Sequence, residues 1–210
     1  MEADLYTSDI RKAAADPSAE LTVPAILLIP IPSADECSKY TSDITAIAAS
    51  SLRNFRPGSC KKIDFNSFLE AAVDVPLLYV DPEKFEVNAP QDSILTFVAV
   101  KSVEPKGSVL GLLIDQKRFS SLQEQVRREY FQTLSLEQAR ATFVVTNDEP
   151  GTQRYRVGSV FRDGEPIPFP EEFELERRQK TKLVVSDVWI SKLARGAVIW
   201  PASVLDPSAE

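Results

Sequence analysis

Apolar positions along this chain fall into short runs rich in valine, isoleucine and leucine, separated by stretches with helical spacing. Such runs are typical of buried strands. The predicted strands cover residues 21–31, 77–80, 94–100, 108–114, 142–146 and 183–185. Two more, residues 154–161 and 166–169, flank an Asp-Gly pair at residues 163–164 that is typical of a hairpin turn. Because these strands alternate with helices, the pattern predicts a chain of the α/β class.

Two stretches have the clearest helical periodicity. After a capping box at residues 33–36, apolar side chains recur every three or four residues from Cys37 to Phe55. A second helix is predicted to begin at Ser120 or Ser121. Its apolar stripe consists of Leu122, Val126, Tyr130 and Leu134. Shorter helices are predicted over residues 8–15, 64–72 and 170–180.

The segment from Leu183 to Pro201 has the best-defined local pattern. Ser186 follows an apolar strand and is a good N-cap for a helix. Gly196 is placed to end that helix in a left-handed conformation. Trp189 and Leu193 lie four residues apart and therefore share one face of the helix. We expect both side chains to belong to the core.

This segment resembles the end of a BRCT domain, in which a tryptophan of the last helix packs into the core. A second match is Thr142–Val145, which is similar to that family's T-H-V-V strand with phenylalanine in place of histidine. The resemblance implies a small parallel sheet flanked by helices. It also implies a non-enzymatic protein-interaction module of a nuclear scaffold, acting in DNA repair, replication or chromosome segregation.

The resemblance covers roughly the last half of the chain and implies three regions. Residues 1–20 are polar and alanine-rich, and we expect a flexible N-terminus there. Residues 21–92 form an N-terminal α/β module, which is either a degenerate BRCT-like module or an unrelated extension. Residues 93–205 form the BRCT-like domain, with an inserted β-hairpin near residues 147–169.

Many BRCT domains bind peptides that carry phosphorylated serine or threonine, so the resemblance implies candidate phosphate ligands. The candidates are Ser33, Lys61, Lys62, Lys117 and Arg118. Hydroxyl and cationic donors of this kind suit a dianion. The first strand of the C-terminal half lacks the family's Ser/Thr-Gly pair, however, and two carboxylates at Glu171–Glu172 open its second helix. The usual pocket is therefore absent from these positions, and solvated helix ends explain any one basic pair better.

The predicted hairpin offers a different kind of surface. Tyr155, Val157 and Phe161 share one face of it. This apolar face is either part of the core or an interface with a partner protein. If it is an interface, the alternative function is a purely structural or assembly domain that does not recognise phosphate.

The composition excludes several classes of enzyme. The 210 residues include no histidine. This removes the commonest general base and the commonest metal ligand. The sequence offers no glycine-rich phosphate loop and no nucleophile motif in its place. We therefore expect a protein that is not an enzyme and has no catalytic residues, no cofactor and no metal.

The charge, the hydropathy and the two cysteines of the chain indicate the environment in which the protein acts. A net charge of −7 argues against non-specific nucleic-acid binding, which needs a cationic surface. The two cysteines, Cys37 and Cys60, have no CxxC spacing, which argues against a disulfide framework or a zinc site. The longest apolar run, residues 25–29, is far too short to cross a bilayer. We expect a soluble, nuclear protein in a reducing environment, with a protein or phosphopeptide partner and no membrane.

Overall fold

Strands make up most of the fold. The computed structural model describes residues 1–84, 87, 90–130, 135–136 and 139–206. Within these residues the strands are β1 (Glu2–Tyr6), β2 (Leu21–Ile31), β3 (Arg56–Ile63), β4 (Asn66–Tyr79), β5 (Leu95–Val103), β6 (Lys106–Ile114), β7 (Thr142–Thr146), β8 (Gln153–Val157), β9 (Val160–Arg162), β10 (Glu165–Ile167), β11 (Glu171–Leu175), β12 (Lys180–Val185) and β13 (Ile199–Leu205). The α-helices described are α1 (Thr7–Ala15), α2 (Cys37–Ala48), α3 (Gln116–Tyr130) and α4 (Asp187–Ala194), and a 3-10 turn at Ala34–Glu36 precedes α2.

All of these strands belong to one mixed sheet. Its order is β10-β9-β12-β7-β1-β2-β4-β5-β6-β13-β8-β11, and β3 pairs with β4 outside this path. Among the strands described, β1 with β7 and β4 with β5 are parallel, and the other pairs are antiparallel. The longest ladder joins β2 to β4 and runs from Leu21 opposite Leu77 to Ile31 opposite Ser67.

The sheet curls into a nearly closed barrel. Side chains from β9 and β11, near the two ends of the strand order, meet across the remaining gap. Arg162 of β9 forms an ion pair with Glu171 of β11 at 3.1 Å. The same guanidinium lies over the ring of Phe173, 4.6 Å from its centroid. An ion pair combined with a cation–π contact therefore links β9, the neighbour of the edge strand β10, to the edge strand β11.

The core lies between the sheet and α1. This helix packs against β4, β5, β6 and β13. Its residues Ile10, Ala13 and Ala14 are buried, and the two small alanines let the helix approach the strands closely. Phe97 of β5 and Phe143 of β7 are fully buried and pack edge to face, with ring centroids 5.4 Å apart.

The predicted fold class and the BRCT identification are both wrong. The chain forms a large, mostly antiparallel sheet that is nearly closed on itself, whereas a BRCT domain is a small parallel sheet flanked by helices. The order of elements after residue 183 is confirmed: β12 is followed by Ser186 at the N-cap position, then α4, then Gly196 with a φ of 85°. The capping hydrogen bond expected of the Ser186 hydroxyl is not formed, and this buried oxygen has no partner among the described residues. A strand followed by a capped helix is a local unit that many folds share, and it does not report how the strands pair.

Two predicted helices are strands. Residues 64–72 turn and enter β4, and residues 170–180 contain β11 and the start of β12. In the first case Asp64 has a φ of 52° in the turn between β3 and β4 and does not cap a helix. The apolar residues in these short stretches have helical spacing, but the stretches form strands because pairing with distant strands overrides local preference.

The two helices with the clearest periodicity are confirmed, with different bounds. α2 ends at Ala48 and not near Phe55, and α3 begins at Gln116, four or five residues before the predicted start. Leu134 of the predicted α3 stripe lies outside the described residues, as does the side chain of Tyr130.

The first twenty residues, expected to be flexible, form β1 and α1. Leu5 and Ile10 are buried there, and β1 lies between β2 and β7 in the sheet. A boundary near residue 92 and the insertion near residues 147–169 stay predictions. Strands that precede and strands that follow residue 92 are neighbours in one sheet. β1, β2 and β4, which precede it, lie between β7 and β5, which follow it.

The expectation of unpaired cysteines is wrong. Cys37, the first residue of α2, and Cys60 of β3 form a disulfide, with their Cα atoms 5.8 Å apart. The bond closes a sequence separation of 23 residues. Spacing along the sequence gave no sign of this pair, because the two residues meet only when α2 packs beside β3.

Gly111 marks a point of close packing between β6 and β13. A Cβ atom at this position would lie 2.7 Å from the ring of Trp200 and 2.7 Å from Cγ2 of Val98. We expect Gly111→Ala to lower the free energy of unfolding by about 1–3 kcal/mol through overpacking. Chemical denaturation measures this loss. Adding Trp200→Leu should restore part of it, because the close contact is removed. Equal losses with and without the second change would show that the ring is not the obstacle.

Candidate ligand-binding cavity

An apolar cavity lies between α2, α3 and the sheet, and it is the candidate functional site. Its volume is about 290 Å³. Side chains from α2, α3, β2, β5 and β6 line it, together with Met1, Pro32, Leu52, Ile94 and Leu136. Two helices and several strands thus border a space, partly open to solvent, that their own side chains do not fill.

α2 supplies one wall of the cavity. Tyr40, Ile44, Ile47 and Ala48 line it and recur every three or four residues, so they lie on one face of the helix. Ile47 and Ala48 are each only 6% exposed. The disulfide at the first residue of α2 attaches this wall covalently to β3.

The strands supply the opposite wall. Residues 27–30 of β2 line the cavity, as do Ile94, Leu95 and Ile114. β1 pairs with β2 only at Ala25 and Ile26, so residues 27–30 extend past the start of β1. The N-terminal end of β1 therefore leaves room beside β2.

α3 closes the remaining side. Phe119, Leu122 and Val126 line the cavity from three successive turns of this helix. The start of α3 is held in place by Arg118, which donates to the carbonyl oxygens of Pro90 and Ser93, the latter at 3.1 Å. The same side chain also forms an ion pair with Asp115 at 3.4 Å. These polar contacts thus hold the start of α3 against the loop before β5.

Few polar groups reach the cavity. Among the described lining residues, Asp43 of α2 is the one carboxylate and Tyr40 is the one phenol. The amino group of Met1 donates to the carbonyl oxygen of Arg140 at 2.8 Å, and burial lowers the pKa of that amino group. An apolar lining with a small number of polar groups is the usual composition of a small-molecule site.

The predicted phosphate ligands lie on different elements. Ser33 precedes the 3-10 turn that contacts β3, Lys61 and Lys62 belong to β3, and Lys117 and Arg118 belong to α3. Ser33 accepts a hydrogen bond from the backbone amide of Asp35 at 3.2 Å. Lys61 forms an ion pair with Glu70 across the β3–β4 hairpin. Lys62 is exposed on β3, and Lys117 is exposed in the first turn of α3, next to the engaged Arg118.

The predicted hairpin face is largely inside the protein. Tyr155 and Val157 of β8 are 1% and 2% exposed, and Phe161 of β9 is 41% exposed. The Tyr155 hydroxyl shares a hydrogen bond of 2.6 Å with Thr7. Burial raises the pKa of Tyr155, although the bond to Thr7 acts in the opposite direction.

The two α4 residues that were predicted to lie in the core, Trp189 and Leu193, differ in burial. Leu193 is buried, at 4% exposure. Trp189 is half-buried, and its indole nitrogen donates to the carbonyl oxygen of Gly158 at 3.3 Å. The ammonium of Lys192 lies 4.6 Å from the centroid of the indole ring. Trp189 thus covers the edge of the core.

A polar cluster around Arg11 lies apart from the cavity. Its guanidinium contacts Glu149 at 3.0 Å, Asp206 at 2.9 Å and Gln153 at 2.9 Å. Burial opposes ionisation of Asp206, but the hydrogen bonds and charges of Lys101 and Arg11 lower its pKa overall. The cluster joins α1 to the end of β13, so we assign it a structural role.

Potential metal ligands are not clustered in the part of the chain that the structure describes. No group of three or more potential metal ligands occurs among those residues. The cavity lining lacks a nucleophile paired with a base. None of the helices described is both long and apolar enough to cross a membrane.

The fold and the cavity define a class of protein: a mixed sheet closed almost to a barrel, with an apolar cavity beneath two helices. The chain belongs to the family described as a domain of unknown function, DUF7424, whose model matches residues 1–204. Comparison with curated proteins gives no match. Comparison with solved structures gives none either. The family match spans the segments that suggested a BRCT domain, and it leaves phosphopeptide binding without support.

The sequence pattern predicts many of the apolar residues that line the cavity, but it does not predict that a cavity exists between them. The sequence predicts apolar stripes on α2 and α3, and most of their described members line the open space. One signal was present, since two amphipathic helices flank the same group of strands in the sequence. Periodicity reports which side of a helix is apolar and not whether that side is filled.

Proposed function

We propose that this protein is a non-catalytic binding domain that takes an apolar small molecule into the cavity between α2, α3 and the sheet. The observation that carries the proposal is a space of about 290 Å³ whose lining is almost entirely aliphatic and aromatic. Transfer of an apolar molecule from water into such a space is favourable without any specific polar contact.

The size of the cavity supports a ligand larger than a solvent molecule. An engineered apolar cavity of about 150 Å³ is known to stay dry and to bind benzene. The present cavity has about 290 Å³, close to the lower end of ordinary ligand pockets. A single alkyl chain or a two-ring aromatic compound is the class of molecule that fits.

The non-enzymatic character expected from the missing histidine is retained in this proposal, but the occupant is different. An apolar molecule replaces the phosphopeptide, because the predicted phosphate ligands are spread over separate elements. The alternative, an assembly domain acting through the hairpin, stays a prediction. Only Phe161 of its three interface residues is exposed.

We also propose an oxidising compartment in place of the reducing nucleus. The disulfide between Cys37 and Cys60 supports this, because structural disulfides persist mainly in oxidising environments. The bond also holds the α2 wall of the proposed binding cavity, so the ligand-competent form is the oxidised one.

The proposal is tested with N-phenyl-1-naphthylamine, a two-ring dye with an additional phenyl group whose fluorescence rises in apolar surroundings. We expect saturable binding to the wild-type protein. Ala48→Phe places a ring into the cavity from α2 and should weaken dye binding by roughly tenfold, equivalent to about 1.4 kcal/mol. Fluorescence titration gives both affinities.

A matched control lies two residues away. Ala46→Phe adds the same ring to the exposed side of α2 and should leave dye affinity unchanged. Thermal unfolding of both variants separates loss of binding from loss of fold. Absence of saturable dye binding, or equal effects of the two substitutions, would contradict the proposal.

A further inference from the structure

We propose that the ligand of this cavity is an amphiphile with a cationic head, in which the ammonium group contacts Asp43 and the alkyl chain lies among the apolar side chains. This inference rests on the proposed function, because it specifies the ligand of the same cavity. Three features carry it: the charge of Asp43, the lack of a compensating cation in the described structure, and the apolar lining around it.

Asp43 is the source of negative charge at the cavity. It is half-buried on α2, between Tyr40 and Ile44 in the lining. A carboxylate beside apolar side chains is less well hydrated than one in open water, and a cation that approaches it is attracted more strongly than in bulk solvent. Apolar molecules with a positively charged end are therefore favoured over those with a negatively charged end.

The described residues provide no ion-pair partner for Asp43. Lys39 is one turn earlier on the same helix, but its ammonium lies 3.6 Å from Glu36 and 5.6 Å from the ring of Tyr40. Arg118, at the start of α3, is engaged by Asp115 and by backbone carbonyl groups. Arg127, which follows the lining residue Val126 on α3, forms an ion pair with Glu124 at 2.7 Å. Each of these three cations thus contacts a carboxylate other than that of Asp43.

The amino group of Met1, which also lies at the lining, does not reverse this preference. The amino group of Met1 already donates to the carbonyl oxygen of Arg140. Burial lowers its pKa, which reduces its positive charge near neutral pH. An anionic head would meet Asp43 with a repulsive charge and would find the Met1 amino group already engaged.

The experiment compares three molecules with the same twelve-carbon chain: dodecylamine, dodecanol and dodecanoate. Displacement of N-phenyl-1-naphthylamine from the protein is measured at pH 7, with dodecylamine and dodecanoate below their critical micelle concentrations and dodecanol below its solubility limit. Because Asp43 is partly exposed, we expect dodecylamine to bind about fivefold more tightly than dodecanol. Dodecanoate should bind more weakly than dodecanol.

Two variants of equal net charge separate Asp43 from the charge of the whole protein. Asp43→Asn should abolish the preference for dodecylamine over dodecanol. Asp35→Asn removes the same charge from an exposed residue outside the lining and should retain the preference. Comparable thermal unfolding of the two variants shows that the fold is kept.

The outcomes distinguish this inference from the proposed function. If all three molecules displace the dye with equal affinity, or if Asp43→Asn keeps the wild-type order, the cavity binds apolar chains but Asp43 does not select the head, and the inference is overturned. If none displaces the dye and the dye itself does not bind, the proposed function fails first. The wild-type comparison of amine with carboxylate tests the head-group preference even if Asp43→Asn does not fold.

Discussion

Replacing Cys37 and Cys60 with serine lowers the free energy of unfolding by about 3 kcal/mol, as expected for removal of a disulfide that closes 23 residues. The cross-link restricts the unfolded chain, so its loss favours unfolding. In this protein it also attaches the start of α2 to β3, and α2 forms a wall of the cavity. We therefore expect weaker binding of N-phenyl-1-naphthylamine in the same variant.

Urea denaturation of the double variant and of the wild type measures this effect. Wild-type protein treated with a reducing agent serves as the control, because it should lose the same stability without any substitution. If the reducing agent and the double substitution both leave the unfolding curve unchanged, the disulfide does not contribute to the folded state. If stability falls while dye affinity is kept, α2 holds its position through packing alone.

The second large effect is expected at Phe143. Its ring is fully buried and packs edge to face on Phe97, so Phe143→Ala should lower the free energy of unfolding by about 3–5 kcal/mol. Trp189→Ala should cost less, about 1–2 kcal/mol, because the indole is half-buried and makes one long hydrogen bond to Gly158. A BRCT fold, by contrast, implies that the Trp189 indole packs into the core.

A matched control for this comparison is Phe169→Ala. Phe169 is 78% exposed, and its truncation should change stability by no more than about 0.5 kcal/mol. Chemical denaturation of the three alanine variants ranks the sites. A loss at Trp189 as large as that at Phe143 would mean that α4, and not the β5–β7 region, contains the centre of the core.

The BRCT interpretation was wrong because its evidence was local. The V-S-x-x-W pattern does specify a strand, an N-cap and a helix, and the structure has all three in that order. The strand β12, however, pairs antiparallel with β7 and β9. Which strands become neighbours depends on contacts between residues far apart in sequence, and a motif of about twenty residues does not contain them.

The helix predicted over residues 64–72 is wrong for a related reason. Phe65, Phe68 and Leu69 are three or four residues apart, as in a helix. In the structure Phe65 is 98% exposed and Leu69 is fully buried, so the apparent stripe is not one face. Pairing of β4 with β2 along eleven positions outweighs the weak helical preference of this segment.

The candidate site was partly predictable. The apolar faces of α2 and α3 could be identified from periodicity, and Asp43 could be placed beside one of them. The cavity itself could not be predicted from the sequence, because its existence depends on how far apart the sheet holds the two helices. Nor could the pairing of Cys37 with Cys60, since a spacing of 23 residues is compatible with many folds.

By itself, the sequence determined most strands, the apolar faces of α2 and α3, the capped helix α4 and the absence of histidine chemistry. These properties follow from residues that are neighbours in the chain, through hydrogen-bonding preference and side-chain periodicity. The tertiary structure alone decided the strand order, the near closure of the sheet, the disulfide and the cavity. Each of these depends on which surfaces meet across long distances in sequence, and packing of the whole chain selects among the alternatives that local preference leaves open.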